Sequence, residues 1–188
     1  MLAASRVSKS QRVLADVLTC CNLVSGIAAT LLSGQGRPVR RSTLILLAAV
    51  CDALDGPLAR RSGCATELGA ATDGVADLIS FGVAPATLLA NSASCTAAST
   101  LASGLYTAAA AWRLARYGSR PRTSHIFRGL PLTGAGIVLT TGLHARVPPS
   151  VSSCLALALA LAMVSGVPVP SGEELVHRVV MIRVRGCC

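Results

Sequence analysis

The sequence predicts an all-α protein that crosses a membrane six times. Three observations carry that reading. The chain has a mean hydropathy of +0.62, and only 13% of its residues are charged against 52% hydrophobic, where a soluble domain carries about 25% charge. Its apolar residues fall into six long runs separated by short polar segments. The basic residues gather in alternate segments, as they do in a polytopic protein.

Taken in order, residues 1–12 are polar and basic, with Arg6, Lys9 and Arg12. The first span runs from about Val13 to Leu32; it is too long for a signal peptide and more of its kind follow. The others are expected at about 43–60, 68–92, 95–116, 130–146 and 149–168, the fifth being the shortest. Most reach the roughly 20 residues needed to cross about 30 Å of hydrocarbon. Helices meet the demand of lipid that backbone polar groups be satisfied internally. A tail, 171–188, closes the chain, so the expected organisation is a basic segment 1–12, a membrane domain 13–170 and the tail. With the N-terminus inside, 13 of the 17 Lys and Arg residues fall on the cytoplasmic side. The four on the other side are Arg37, Arg40, Arg41 and Arg146. Both termini are therefore expected in the cytoplasm.

The net charge of +9 would suggest nucleic acid as a partner for a soluble protein. Here the basic residues punctuate apolar runs, which points to anionic lipid headgroups and topology, with no nucleic acid. Of eight cysteines, Cys20, Cys21, Cys51 and Cys154 lie inside apolar runs, and no pair has C-x-x-C spacing. They are expected to be small buried apolar side chains, not a metal or disulfide framework. The terminal Cys187-Cys188 pair is read as the end of a tail, an anchor being superfluous to six spans.

Four of the five aspartates lie in one stretch: Asp52-x-x-Asp55-Gly56-x-x-Ala59-Arg60, then Gly69-x-x-x-Asp73-x-x-x-Asp77. A carboxylate at the bilayer centre costs about 2.5–3.5 kcal/mol on insertion scales, so four together need a partner. Clustered oxygen ligands are best served by Mg²⁺ or Mn²⁺. Asp52 and Asp55 are three apart and Asp73 and Asp77 four apart, so each pair shares a helix face. A hairpin turning at 61–67 can point both faces at each other, near the cytoplasmic end of helices two and three. Gly56 and Gly69 let a bulky ligand approach the backbone, Ala59 keeps the same face low, and Arg60 offers a planar fork to phosphate. Polar contacts that merely hold helices together are the alternative. Eight residue types at fixed spacing would agree by chance at a given start roughly once in a billion or less.

These residues spell the signature of the CDP-alcohol phosphatidyltransferases, D-x2-D-G-x2-A-R-x8-G-x3-D-x3-D. Flanking blocks resemble the bacterial and archaeal serine-using branch of that family. They are Asp77-Leu78-Ile79-Ser80-Phe81-Gly82-Val83-Ala84-Pro85-Ala86, Arg113-Leu114-Ala115-Arg116-Tyr117 and Phe127-Arg128-Gly129-Leu130-Pro131. Leu18-Thr19, Asn22 and Gly26 are similar to its first helix, and Val164-Ser165 with Pro168-Val169-Pro170-Ser171 to its last. Ala15-Asp16 stands where the branch has Pro-Asn. The likeness runs from about residue 14 to 171.

The resemblance implies the family's six-helix fold and a divalent-metal reaction of CDP-diacylglycerol with L-serine. Asp52, Asp55 and Asp73 would hold metal on the diphosphate, with Asp77 near a second metal and acting as general base. Cytidine would lie over Gly56, Ala59 and Gly69. It also implies a homodimer in the cytoplasmic membrane, whose close packing small residues such as Gly134 and Gly136 permit, with the active site facing the cytoplasm. Arg113 and Arg116, three apart, could take the serine carboxylate or a phosphate, or serve as a positive-inside anchor. His125 is read as a solvated loop histidine in preference to a substrate ligand. Alternatives are a sister enzyme using glycerol 3-phosphate or inositol phosphate, a divalent-cation transporter, or a non-catalytic scaffold of the same fold. A transporter would place acidic residues on several helices, but spans four to six contain none.

Overall fold

A computed structural model describes residues 2–34, 38–62, 67–92, 96–118, 130–145 and 147–165. The side chains of 2–12, 57, 59–62, 67 and 117 lie outside that description, as do Arg120, Arg122, His125, Arg128 and the whole of 171–188. Among the described residues the structure is helical and contains no strand.

Helix α1 spans Leu2–Leu31 and ends in a short 3₁₀ turn, Leu32–Gly34; α2 spans Pro38–Ser62. A third rod is compound: α3 (Glu67–Asp77) runs into a π-helical segment, Leu78–Val83, and then into α4 (Ala84–Ala90). Helices α5 (Ala97–Gly118), α6 (Leu132–His144) and α7 (Pro149–Val164) complete the bundle. Each expected span thus has a helical rod within a few residues of it, except that α1 starts well before Val13. Among the described residues, two stretches are long and apolar enough to cross a membrane by themselves, Val13–Leu31 and Leu68–Ala90. The 13 residues of α6 rise only about 20 Å, well short of the hydrocarbon thickness.

The π segment is the hub of the fold. It touches α1, α2, α5 and α6 as well as the two helices it joins. Pro85 explains its position, because proline has no N–H for the carbonyl four residues back, that of Phe81. The helix widens there: the Ala84 N–H reaches back five residues to the Ile79 carbonyl. The Phe81 carbonyl instead accepts a bond from the buried Tyr106 hydroxyl of α5, at 2.9 Å. Two glycines admit the segment. A Cβ on Gly26 of α1 would lie 2.8 Å from Ser80 Cα, and one on Gly136 of α6 would lie 2.7 Å from Phe81 Cβ. Both distances are shorter than side chains tolerate, so only glycine fits. Gly136 is therefore spent on contact within its own chain and is not free to pack against a second copy.

The core is rich in small side chains. More than half of its buried apolar cluster is alanine, and Asn22, Arg41, Ser80, Ser99 and Thr140 are buried with it. Small side chains let helices approach closely, as they do in membranes. Large apolar side chains face outward instead: Val24, Leu31, Leu68, Leu101, Trp112 and Leu161 all expose more than half of their surface. In water such a surface would drive aggregation, whereas in lipid it is solvated. The cysteines follow the same rule. Only Cys51 is buried as expected; Cys20, Cys21 and Cys154 face outward, and all four are free thiols.

Arg41, expected on the non-cytoplasmic side, turns its side chain into the bundle. Its Nε donates to the Ala29 carbonyl at 3.0 Å and an η nitrogen donates to Thr87 Oγ1 at 3.1 Å.

Candidate active site

Helices α1 and α2 pair along much of their length, and α3 returns against α1 at the end where α2 finishes. This brings the two halves of the aspartate motif together. Asp52, Asp55 and Asp73 each place a carboxylate oxygen within 4.8 Å of the other two. Asp77, one turn beyond Asp73, stands beside Asp52 and Asp73 but is not part of that closest triad. Asp55 is buried, and Asp52, Asp73 and Asp77 are half-buried. Asp16, the fifth aspartate, is exposed on α1 and lines a separate groove with Cys20, Cys21 and Cys51.

Helices outside the motif hold its carboxylates in place. Thr19 of α1 donates its hydroxyl to Asp55 Oδ2 at 3.1 Å. Thr133 of α6 donates to Asp52 Oδ2 at 3.0 Å. Asn22 of α1 donates through Nδ2 to Asp77 Oδ1 at 3.1 Å. Asp73 is different: its Oδ1 is buried with no hydrogen-bond partner among the described residues. Such an atom is costly to bury unless something else satisfies it. Three converging carboxylates, one with an orphaned oxygen, suit a hard divalent cation. The residues present therefore fit the metal that the sequence led us to expect.

The glycines of the motif border the cluster. Gly56 is half-buried one turn after Asp52, and Gly69 is exposed one turn before Asp73, so each shares the face of its aspartate. Ala59 and Arg60 lie in the last turns of α2, where their side chains are outside the described residues. Arg113 and Arg116 are half-buried on α5. Arg116 donates to the Val164 carbonyl at 3.2 Å, which places a cation at the C-terminus of α7, where the helix dipole favours it. Leu114, between the two arginines, packs over Gly74, so this part of α5 lies level with Asp73.

Sequence reasoning gave no site role to Thr19, Asn22 or Thr133, although Thr19 and Asn22 matched the first-helix block. The signals were present. Thr19 and Asn22 are three apart on one face of α1, with Gly26 a further turn along, and Thr133 opens α6 just after Leu130-Pro131. What identifies them is the partner each meets, 36, 55 and 81 residues away.

Comparison with known proteins identifies the family. The CDP-alcohol phosphatidyltransferase family model matches residues 12–171. The chain is 32% identical over 157 residues to a CDP-diacylglycerol–serine O-phosphatidyltransferase of Methanocaldococcus jannaschii, covering 84% of this chain and 73% of that protein. It is 30% identical over 164 residues to an archaetidylserine synthase of Methanothermobacter thermautotrophicus, covering 84% of this chain and 69% of that one. A CDP-diacylglycerol–serine O-phosphatidyltransferase of Mycobacterium leprae is 34% identical over 149 residues; the chain spans about half (49%) of its length. On the aspartate cluster and the extent of the match, the chain belongs to the CDP-alcohol phosphatidyltransferase family.

Proposed function

We propose that this chain transfers the phosphatidyl group of CDP-diacylglycerol to the hydroxyl of L-serine, releasing CMP. The observation that carries the reading is the meeting of Asp52, Asp55 and Asp73 within 4.8 Å, with Asp77 alongside. The names of the relatives support serine as the acceptor.

Asp52, Asp55 and Asp73 would hold the divalent cation, Mg²⁺ or Mn²⁺, with Asp77 facing a second; bound there, metal neutralises charge on the diphosphate and makes CMP a better leaving group. Gly56, Ala59 and Gly69 would leave room for the cytidine, and Arg60 would offer its planar guanidinium to a phosphate. Asp77 takes the proton of the serine hydroxyl. The serine oxygen bonds to the phosphorus that carries diacylglycerol, and the bond from that phosphorus to the CMP oxygen breaks. Arg113, level with Asp73, is the candidate for the serine carboxylate. Arg116, engaged with the end of α7, acts as a brace that aligns α5.

The catalytic domain, 13–170, crosses the cytoplasmic membrane six times with both termini inside, and the site opens to the cytoplasm where serine is available. The short α6 spans with the help of its flanking loops or by local thinning of the bilayer. The enzyme works as a homodimer, packed through a lipid-facing surface other than that of Gly136.

The test is CMP release by purified protein from CDP-diacylglycerol or its ether-lipid counterpart, with Mn²⁺, Mg²⁺ or EDTA. Serine should support turnover, EDTA should abolish it, and excess metal should restore it. Turnover with glycerol 3-phosphate or inositol 1-phosphate but not with serine would overturn the acceptor assignment.

A further inference from the structure

We propose that Asn22 is a positioning residue that aims the Asp77 carboxylate at the incoming hydroxyl; this rests on the reading of Asp77 as the base. Asn22 is fully buried on α1. Its Nδ2 donates to Asp77 Oδ1 at 3.1 Å, while its own Oδ1 has no hydrogen-bond partner among the described residues. Replacing the amide by an apolar side chain of similar size would remove its own unpartnered oxygen but strip Asp77 Oδ1 of this donor. Among the described residues, its side-chain hydrogen bond goes to the reacting carboxylate.

Asp77 is the last residue of α3, and the backbone widens into the π segment at the next residue. Its own backbone keeps α-helical angles (φ −62°, ψ −43°), and helix α1 supplies a reference for its side chain from outside α3. Helix α1 is held against the π segment by the close approach of Gly26 to the Ser80 backbone; the Ser80 Oγ bond to the main-chain carbonyl of Asn22, at 3.0 Å, adds stability to the same interface. The amide thereby fixes the orientation of a carboxylate that Asp52 also approaches within hydrogen-bond range. An amide does this without adding charge, whereas Lys or Arg would compete for the electron pair that receives the proton.

The experiment compares Asn22→Leu and Asn22→Ser with the control Ser80→Ala, which removes a packing bond of the same interface and leaves the amide intact. Each purified protein is measured for thermal unfolding, kcat, and KM for CDP-diacylglycerol. A misaimed base should lower kcat about 30-fold or more, within the range that proton transfer contributes. The donor KM should stay within about threefold, because ground-state binding is untouched. Ser80→Ala should melt earlier with kcat within about threefold of the parent. The inference is overturned if either folded Asn22 variant keeps its kcat, or if donor KM rises in step with the fall in kcat. It is also overturned if Ser80→Ala loses kcat as the Asn22 variants do, or if neither Asn22 variant folds; the last would make the residue a determinant of the fold. Asp77→Asn separates the two readings. Near-normal turnover in that variant removes the base itself, whereas a dead Asp77→Asn beside an active Asn22→Leu removes only the positioning role.

Discussion

Three of the four clustered aspartates have one oxygen tied back to a neutral donor from another helix. Thr19, Thr133 and Asn22 hold Asp55, Asp52 and Asp77, while Asp73 keeps a buried oxygen without any hydrogen-bond partner among the described residues. Neutral donors orient a carboxylate without cancelling the charge a cation needs. Partners of this kind are worth about 10–100-fold in metal affinity where they have been removed from other sites. Thr133→Val should accordingly raise the Mn²⁺ concentration for half-maximal CMP release about tenfold, with little change in maximal rate. An unchanged Mn²⁺ requirement would mean that Asp52 is oriented by its own helix. Asp77→Asn, by contrast, should cut turnover by about 100-fold or more while the donor still binds, as expected when a base is lost and the ligands remain. Donor binding can be followed by calorimetry in detergent.

At the scale of the element, the π segment organises the fold and therefore the site. The Ser80-Phe81-Gly82 and Ala84-Pro85 block resembles the serine-using branch in sequence, yet the structure places it in the core and not against the aspartates. Its influence on chemistry passes through Asp77, which it follows directly. Gly136→Leu would force a side chain into the Phe81 backbone, where a Cβ alone comes within 2.9 Å of Phe81 Cα. Overpacking of this kind costs about 1–3 kcal/mol and more when backbone must move. The variant should melt well below the parent and lose activity in proportion to the unfolded fraction. Tyr106→Phe should act more mildly, costing about 1–3 kcal/mol for the Phe81 carbonyl left buried. Equal stability of all three proteins would show that the contact is not structural.

For the whole molecule, the distribution of side chains argues for lipid as its solvent. Alanines and several polar groups share the core with a few large apolar side chains, and many large apolar side chains lie outside. The protein should stay with the membrane fraction after alkaline carbonate washing and need detergent for extraction. If both termini are cytoplasmic, a fluorescent reporter that matures only in the cytoplasm should light up at either end, and a periplasm-dependent phosphatase should be inactive at both. One active phosphatase fusion would require an odd number of spans.

The six helical segments, the two halves of the aspartate motif and the direction of the basic bias were legible in the sequence because each is local. Hydropathy over about 20 residues marks a helix, and spacings of three and four mark a face. The structure decided what depends on distant residues meeting. It brought Asp52 and Asp55 to Asp73, put Asn22 on Asp77 across 55 residues, and turned Arg41 inward to Ala29 and Thr87. It also spent Gly136 on Phe81 within the same chain. A buried hydrogen bond between helices leaves no periodic trace in either one. Threonine and asparagine on a helix look alike in sequence whether they face a carboxylate or a neighbouring carbonyl, and only packing selects the partner.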